Sequence, residues 1–215
     1  MNSIGLVVMA VTYLELQPEY ECTWYDEFGQ LGTYNCTADM VCGTNNITDY
    51  WVKKSIYSLN NWIEQLDMYC TDGKYVGMIG ALAFLGSAIA CAILPILGDK
   101  IGRFPVFITT QAIQLPMFFC AIFTHSLGVV YFMVFFLGFC LIGRFTCGFV
   151  LFVELLPEKY KAISGSAILI GYSISLLEVT AYYAWISQNS IPTIWLGFIL
   201  TTVTFAANFI LPESP

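Results

Sequence analysis

Two ionisable residues, Arg144 and Glu178, stand inside stretches of sequence that are otherwise apolar enough to cross a bilayer. A charge at that depth costs at least about 2.5–3.5 kcal/mol, so each is expected to face a partner or a water-filled cavity. Glu178 can there bind a cation or exchange a proton, and Arg144 can serve as its counter-charge or as a contact for an anion. At a helical rise of 1.5 Å per residue, Arg144 falls about 8 Å inward of the middle of its span and Glu178 about 5 Å outward. A direct pair would be stretched. Two separate cavity-facing groups are therefore expected, with a structural pair as the alternative.

A second cluster lies between two apolar stretches, in the run Gly98-Asp99-Lys100-Ile101-Gly102-Arg103. One acid, two bases and two glycines within six residues imply a defined turn with paired charges rather than a merely polar connection. Should Arg103 meet Glu154 and Asp99 meet a cation or a helix N-terminus, the contacts form only when neighbouring helices are drawn together, as in a latch. The plainer alternative is a set of solvated charges that fix topology, since exposed pairs are worth only about 0–1 kcal/mol.

The elements that must position these residues are legible from composition. Hydrophobic residues make up 58% of the chain and charged residues 11%, against roughly 25% charged in ordinary soluble domains. This is the composition of a polytopic membrane protein. A spanning helix needs about 20 mostly apolar residues, which predicts spans over Tyr75–Leu97, Phe104–Phe123, Leu127–Val150, Ser164–Ile186 and Ile191–Leu211. A sixth, Ile4–Leu16, would rise only about 20 Å, short of a hydrocarbon core of about 30 Å. The chain divides accordingly into a partial first helix (1–16), a polar loop (17–74) and helices two to six (75–215).

The loop is far longer than an ordinary connection and is expected to be a folded or cross-linked cap. From Glu15 to Lys74 the chain holds all of the formal charge of −7: ten acids against Lys53, Lys54 and Lys74, while the rest of the chain balances at five and five. Cys22, Cys36, Cys42 and Cys70 lie within the loop, and four cysteines allow three pairings that sequence leaves open. Two glycosylation sequons, Asn35-Cys36-Thr37 and Asn46-Ile47-Thr48, fall in the same stretch. Both features belong on an oxidising side. Independently, Lys100, Arg103, Lys159 and Lys161 occupy the opposite loops, whereas His125 and the Gln188–Ser190 turn lack Lys or Arg, so the basic loops face the cytoplasm.

Cys91, Cys120, Cys140 and Cys147 sit singly in apolar spans without metal-ligand spacing and read as small core residues. Gly138, Gly143 and Gly148 recur along one span and favour close helix packing. Pro95, Pro105 and Pro116 are expected to bend or begin helices. No catalytic constellation surrounds His125, the one histidine, and there is neither a phosphate-binding loop nor a basic stripe for nucleic acid. No enzyme, cofactor, metal or nucleic-acid partner is expected.

With its flanks, the turn resembles the signature loop between the second and third helices of major facilitator superfamily transporters, matching at Gly98, Asp99, Lys100, Gly102 and Arg103. Pro95 and Phe104 depart from the pattern. Glu154, Pro157 and Lys161 resemble the family's Glu-x-x-Pro-x-x-x-Arg run, with lysine for arginine, and Pro212-Glu213-Ser214-Pro215 resembles the run after its sixth helix. The cysteine-bearing first loop and Asp67-Met68-Tyr69-Cys70 are most similar to the organic cation and anion transporter branch, although Gln65-Leu66 stands where that branch has Glu-Trp. The resemblance implies an all-α membrane protein, a six-helix half with a short first helix and a large loop between helices one and two. It implies alternating access for an organic ion or similar small solute, with Asp99, Gly102, Arg103, Glu154 and Lys161 forming a gating latch and Arg144 and Glu178 lining the path. A complete carrier of this type needs two repeats, so the expected partners are membrane lipid, the solute, and a second half or other membrane subunits. The alternative is a transport-incompetent structural subunit of a larger assembly. The sequons favour the plasma membrane, with an organelle inner membrane as the other candidate.

Overall fold

A computed structural model describes residues 13–14, 19–25, 31–43, 47–53, 62–187 and 189–208. Most of the predicted first span, the Asn46 acceptor and the Pro212–Pro215 run lie outside these residues. Tyr13 and Leu14, from the end of that span, are helical.

The loop folds as a small sheet with helical turns: β1 (Tyr20–Tyr25), β2 (Leu31–Cys36), α1 (Ala38–Gly43), β3 (Ile47–Val52) and α2 (Trp62–Gln65). β1 is central, in the order β2-β1-β3, and both pairings are antiparallel. Strand alternation separates two faces. Tyr20, Cys22 and Cys36 are buried on one, while Glu21, Asn35 and Trp51 align across the other. Of the three pairings open to the cysteines, the fold realises Cys22–Cys36 and Cys42–Cys70. They close loops of 14 and 28 residues, constraints worth about 3 kcal/mol each in the unfolded-chain model. So small a core needs that help.

Asp67-Met68-Tyr69-Cys70 turns the chain from the cap into the bundle. Asp67 takes φ 51°, a left-handed conformation that a short polar side chain tolerates, and its carboxylate accepts from the Tyr69 hydroxyl. Met68 is buried in the bundle core. The Tyr69 ring meets those of Tyr20 and Tyr50 edge to face, with centroids 6.2 and 6.1 Å away. Its bond to Asp67 holds the Tyr69 hydroxyl up to about 12, and burial does the same for Tyr20.

Five helices long and apolar enough to span a membrane follow: α3 (Gly73–Ile101), α4 (Arg103–Phe123), α5 (Leu127–Leu155), α6 (Glu158–Ala181, continued as a π-helical turn over Tyr182–Ile186) and α7 (Ile191–Asn208). Each coincides with a predicted span, but α3, α5 and α6 extend further at their inner ends. The apolar-run criterion marks only the part in hydrocarbon, and a helix continues into the headgroup region where Lys100, Glu154 and Glu158 are affordable.

Packing among α3, α4 and α5 has two centres. At the outer end Val76 of α3, Phe118 and Ala121 of α4, Val130, Met133 and Val134 of α5 and Ile194 of α7 form one core, on which Leu14, Trp62 and Ile63 are seated. Toward the inner end Ala90, Leu94, Val106 and Cys147 form another. Between them α3 and α5 touch backbone to backbone. A Cβ on Gly86 would lie 2.1 Å from the Phe135 carbonyl oxygen, and one on Gly138 would lie 2.1 Å from that of Ala83. Only glycine permits this approach. Beside the crossing, Ser87 donates to the Gly138 carbonyl at 3.1 Å, an interhelical bond that hydrocarbon cannot offer.

Candidate functional site

The inner turn is built around one glycine. Gly102, between α3 and α4, has φ 105° and ψ 148°, a region essentially closed to residues with a Cβ. Its amide still donates to the Gly98 carbonyl at 3.0 Å, so the chain reverses without leaving an orphan donor. Gly98 is itself tight: a Cβ there would meet Cys147 Sγ at 3.4 Å and Arg103 Cγ at 3.6 Å. The two glycines press the start of α4 against α5 and set the direction of Arg103.

Arg103 spreads its fork over two carboxylates. Nη1 donates to Glu154 Oε1 at 2.5 Å and Nη2 to Asp99 Oδ1 at 3.2 Å. These acids come from the ends of α5 and α3, so three helix ends meet on one guanidinium, a geometry that a planar five-donor group suits better than an ammonium. The cation expected for Asp99 is thus Arg103 itself. Arg103 is partly exposed, and Glu154 and Asp99 are more so. The cluster is therefore accessible to rearrangement and is a weak source of net stability.

Lys161, the fifth predicted latch residue, turns elsewhere. Its Nζ lies 3.7 Å from Glu158 Oε1 within the first turn of α6. A partner three residues away on the same helix is the short-range option for a long flexible side chain.

Arg144 departs from its expected cavity. It is 2% exposed, whereas a residue facing the cavity of an isolated half would be open. Nη1 donates to Gln114 Oε1 of α4 at 2.6 Å. The amide oxygen gives the cation one charge-assisted bond within the helix pair. Measured along the observed helix, it sits only about 4 Å inward of the middle of α5.

Glu178 is exposed on α6, about 9 Å outward of the middle of the combined helix over 158–186. The two charges are thus far apart along the membrane normal and belong to different surroundings. Directly after Glu178, the Tyr182 amide is shared between the carbonyls of Glu178 and Val179, and the helix widens into its π-helical turn, a distortion often found at functional sites. Tyr13 packs here, its ring 5.0 Å from Tyr183 and its hydroxyl 3.2 Å from Thr180 Oγ1.

Sequence reasoning missed the polar seam along α4. Gln111, fully buried, donates to Thr204 Oγ1 at 2.8 Å and accepts from Asn208 at 2.6 Å. One turn on, Gln114 serves Arg144. The signal was present as Thr109-Thr110-Gln111-Ala112-Ile113-Gln114, two amides at helical spacing inside an apolar span, which in lipid implies partners on neighbouring helices.

No family model matches the chain. A stretch of 168 residues is 25% identical to solute carrier family 22 member 15-like from Xenopus tropicalis, covering 75% of this chain and 34% of that protein. The chain thus spans about a third of the length of the curated relative it matches. Together with the five spans, this makes it a distant, partial homologue of a solute carrier and an integral multi-pass membrane protein.

Proposed function

We propose that this chain forms one six-helix half of a secondary transporter of the major facilitator type, moving an organic ion or similar small solute by alternating access. The observation that carries the proposal is the Arg103 fork. A guanidinium that ties the inner ends of α3, α4 and α5 holds that end of the half together while its pairs are formed. Two partly solvated ion pairs of modest net worth are suited to forming and releasing as the half rocks. Gly102 is the hinge point that fixes the direction of Arg103, and the second repeat is supplied by further chain or by a partner.

The solute path is assigned by elimination between the two intramembrane charges. Arg144 is enclosed in the helix pack and rests on the Gln114 amide oxygen, which favours a structural role. Glu178 is exposed from α6, and because an ionised carboxylate facing lipid is costly, the surface around it turns toward a polar interior. A cation or a proton is the ligand its charge selects.

The test is uptake into vesicles reconstituted with the native assembly purified from its membrane. Glu178→Gln is expected to abolish uptake with expression and assembly unchanged, and Arg103→Gln to reduce it strongly. If the wild-type assembly moves no solute from a panel of organic cations and anions, and a neighbouring subunit is found sealing Glu178, the transporter assignment fails. The chain is then a structural subunit of that assembly.

A further inference from the structure

The three residues of the sequon Asn35-Cys36-Thr37 have three different duties in the folded cap. Asn35 is exposed and lies directly opposite Glu21 on the central strand. Lys53 Nζ donates to its Oδ1 at 3.0 Å and stands 3.8 Å from Glu21 Oε1. Because the ammonium occupies the amide oxygen, Nδ2, across the Cβ–Cγ axis within the same amide plane, is directed away from Lys53. Cys36 points to the opposite face, is buried, and is bonded to Cys22 on β1. The Thr37 carbonyl accepts from the amides of Met40 and Val41, which starts α1.

Transfer of a glycan requires the acceptor asparagine and the hydroxyl two residues on to enter an enzyme together, which a segment free to loop can do. In the folded cap the backbone at Asn35 is laddered to β1 and Thr37 holds a helix start. The bond at the middle residue locks both. We propose that Asn35 is an N-glycan acceptor that is competent only before Cys22–Cys36 closes, so that disulfide formation and glycan transfer compete for the same three residues.

The two reactions draw on different reagents. In the first, Asn35 Nδ2 attacks the anomeric carbon of a polyprenyl-diphosphate-linked oligosaccharide. A C–N bond forms, the C–O bond to the diphosphate breaks, one amide proton is lost, and nothing is oxidised. In the second, the thiols of Cys22 and Cys36 lose two protons and two electrons to a disulfide-bearing oxidant, which is reduced to its dithiol. A glycan added first is compatible with the finished fold. Nδ2 is the nitrogen that Lys53 leaves outward, and β2 is an edge strand, where a bulky hydrophilic group also blocks pairing with another sheet.

The experiment is synthesis of the full chain in glycosylation-competent microsomes, followed by enzymatic deglycosylation in heavy-oxygen water and peptide mapping, which scores Asn35 and Asn46 separately. The wild type is expected to show a mixed population at Asn35 that becomes a single glycosylated species when synthesis takes place in reductant, and likewise in Cys22→Ala. Occupancy at Asn46-Ile47-Thr48, a sequon without cysteine, is expected to stay constant. Should Cys22→Ala misfold, the reductant-treated wild type gives the same readout on the natural sequence. The proposal is overturned by an Asn35 that is unmodified under every condition, by occupancy indifferent to the bond, or by the two acceptors shifting together.

Discussion

Helices α5 and α6 are both long enough to span a bilayer and each carries one ionisable residue at membrane depth, yet they answer its cost in opposite ways. Of the five spans α5 buries the largest share of its residues and α6 the smallest. Arg144 on α5 is enclosed and rests on the Gln114 amide oxygen. Glu178 on α6 is exposed, near the exposed side chains of Ile174 and Leu177. One charge has been enclosed by its own helix bundle and reads as structure. The other depends on what faces it, and that dependence makes it the better candidate for work.

The largest effect should come from the glycines. Gly138→Leu drives a side chain into the Ala83 carbonyl and is expected to cost about 3 kcal/mol or more, read as loss of a monodisperse peak in detergent. Gly165→Leu on α6, where a Cβ would meet only the Phe149 ring at 3.7 Å, is expected to leave that peak intact. Equal behaviour of the two variants would erase the contrast between the helices. Next comes Gln114→Leu, which removes an acceptor from a buried cation and should cost about 2 kcal/mol, seen as a lowered thermal midpoint. Gln111→Leu, which removes bonds between neutral groups, is expected to cost only about 0.6 kcal/mol. If its cost matches that of Gln114→Leu, Arg144 is not the reason for the second amide. Smallest of all, Glu178→Gln is expected to alter the thermal midpoint by less than about 0.5 kcal/mol in equivalent stability while removing transport. A large destabilisation there would move Glu178 into the structural class with Arg144.

What the sequence disclosed follows the reach of each signal. Spans were legible because length and apolarity are local, and their inner ends were underestimated because helices continue past the hydrocarbon. The meeting of Arg103 with Glu154 was legible because the residues matched a known pattern, and Gly102 because a left-handed turn leaves little choice. The cap cysteines announced a framework, but their pairing depends on strand register, which places Cys22 and Cys36 on one face of the sheet. The exposure of Glu178 and the enclosure of Arg144 were beyond reach. The first depends on whether a neighbour supplies a donor at the same depth and the second on which one supplies an acceptor, and Gln114 is distant from Arg144 in sequence. The close approach of α3 and α5 at Gly86 and Gly138 was half visible, since the small residue on α5 drew notice and the one on α3 did not.

The way the cap is attached has a mechanical consequence. It is tied by Cys42–Cys70 three residues ahead of the start of α3, and its Trp62 and Ile63 sit, beside Leu14, in a core shared with the outer ends of four helices. A flap joined at one point would swing on its own. A cap seated in a core shared by four helix ends is held to the bundle rather than hinged on it. Under the proposed function, any tilt of the helices about the close α3–α5 approach at Gly86 and Gly138 would carry the cap with it.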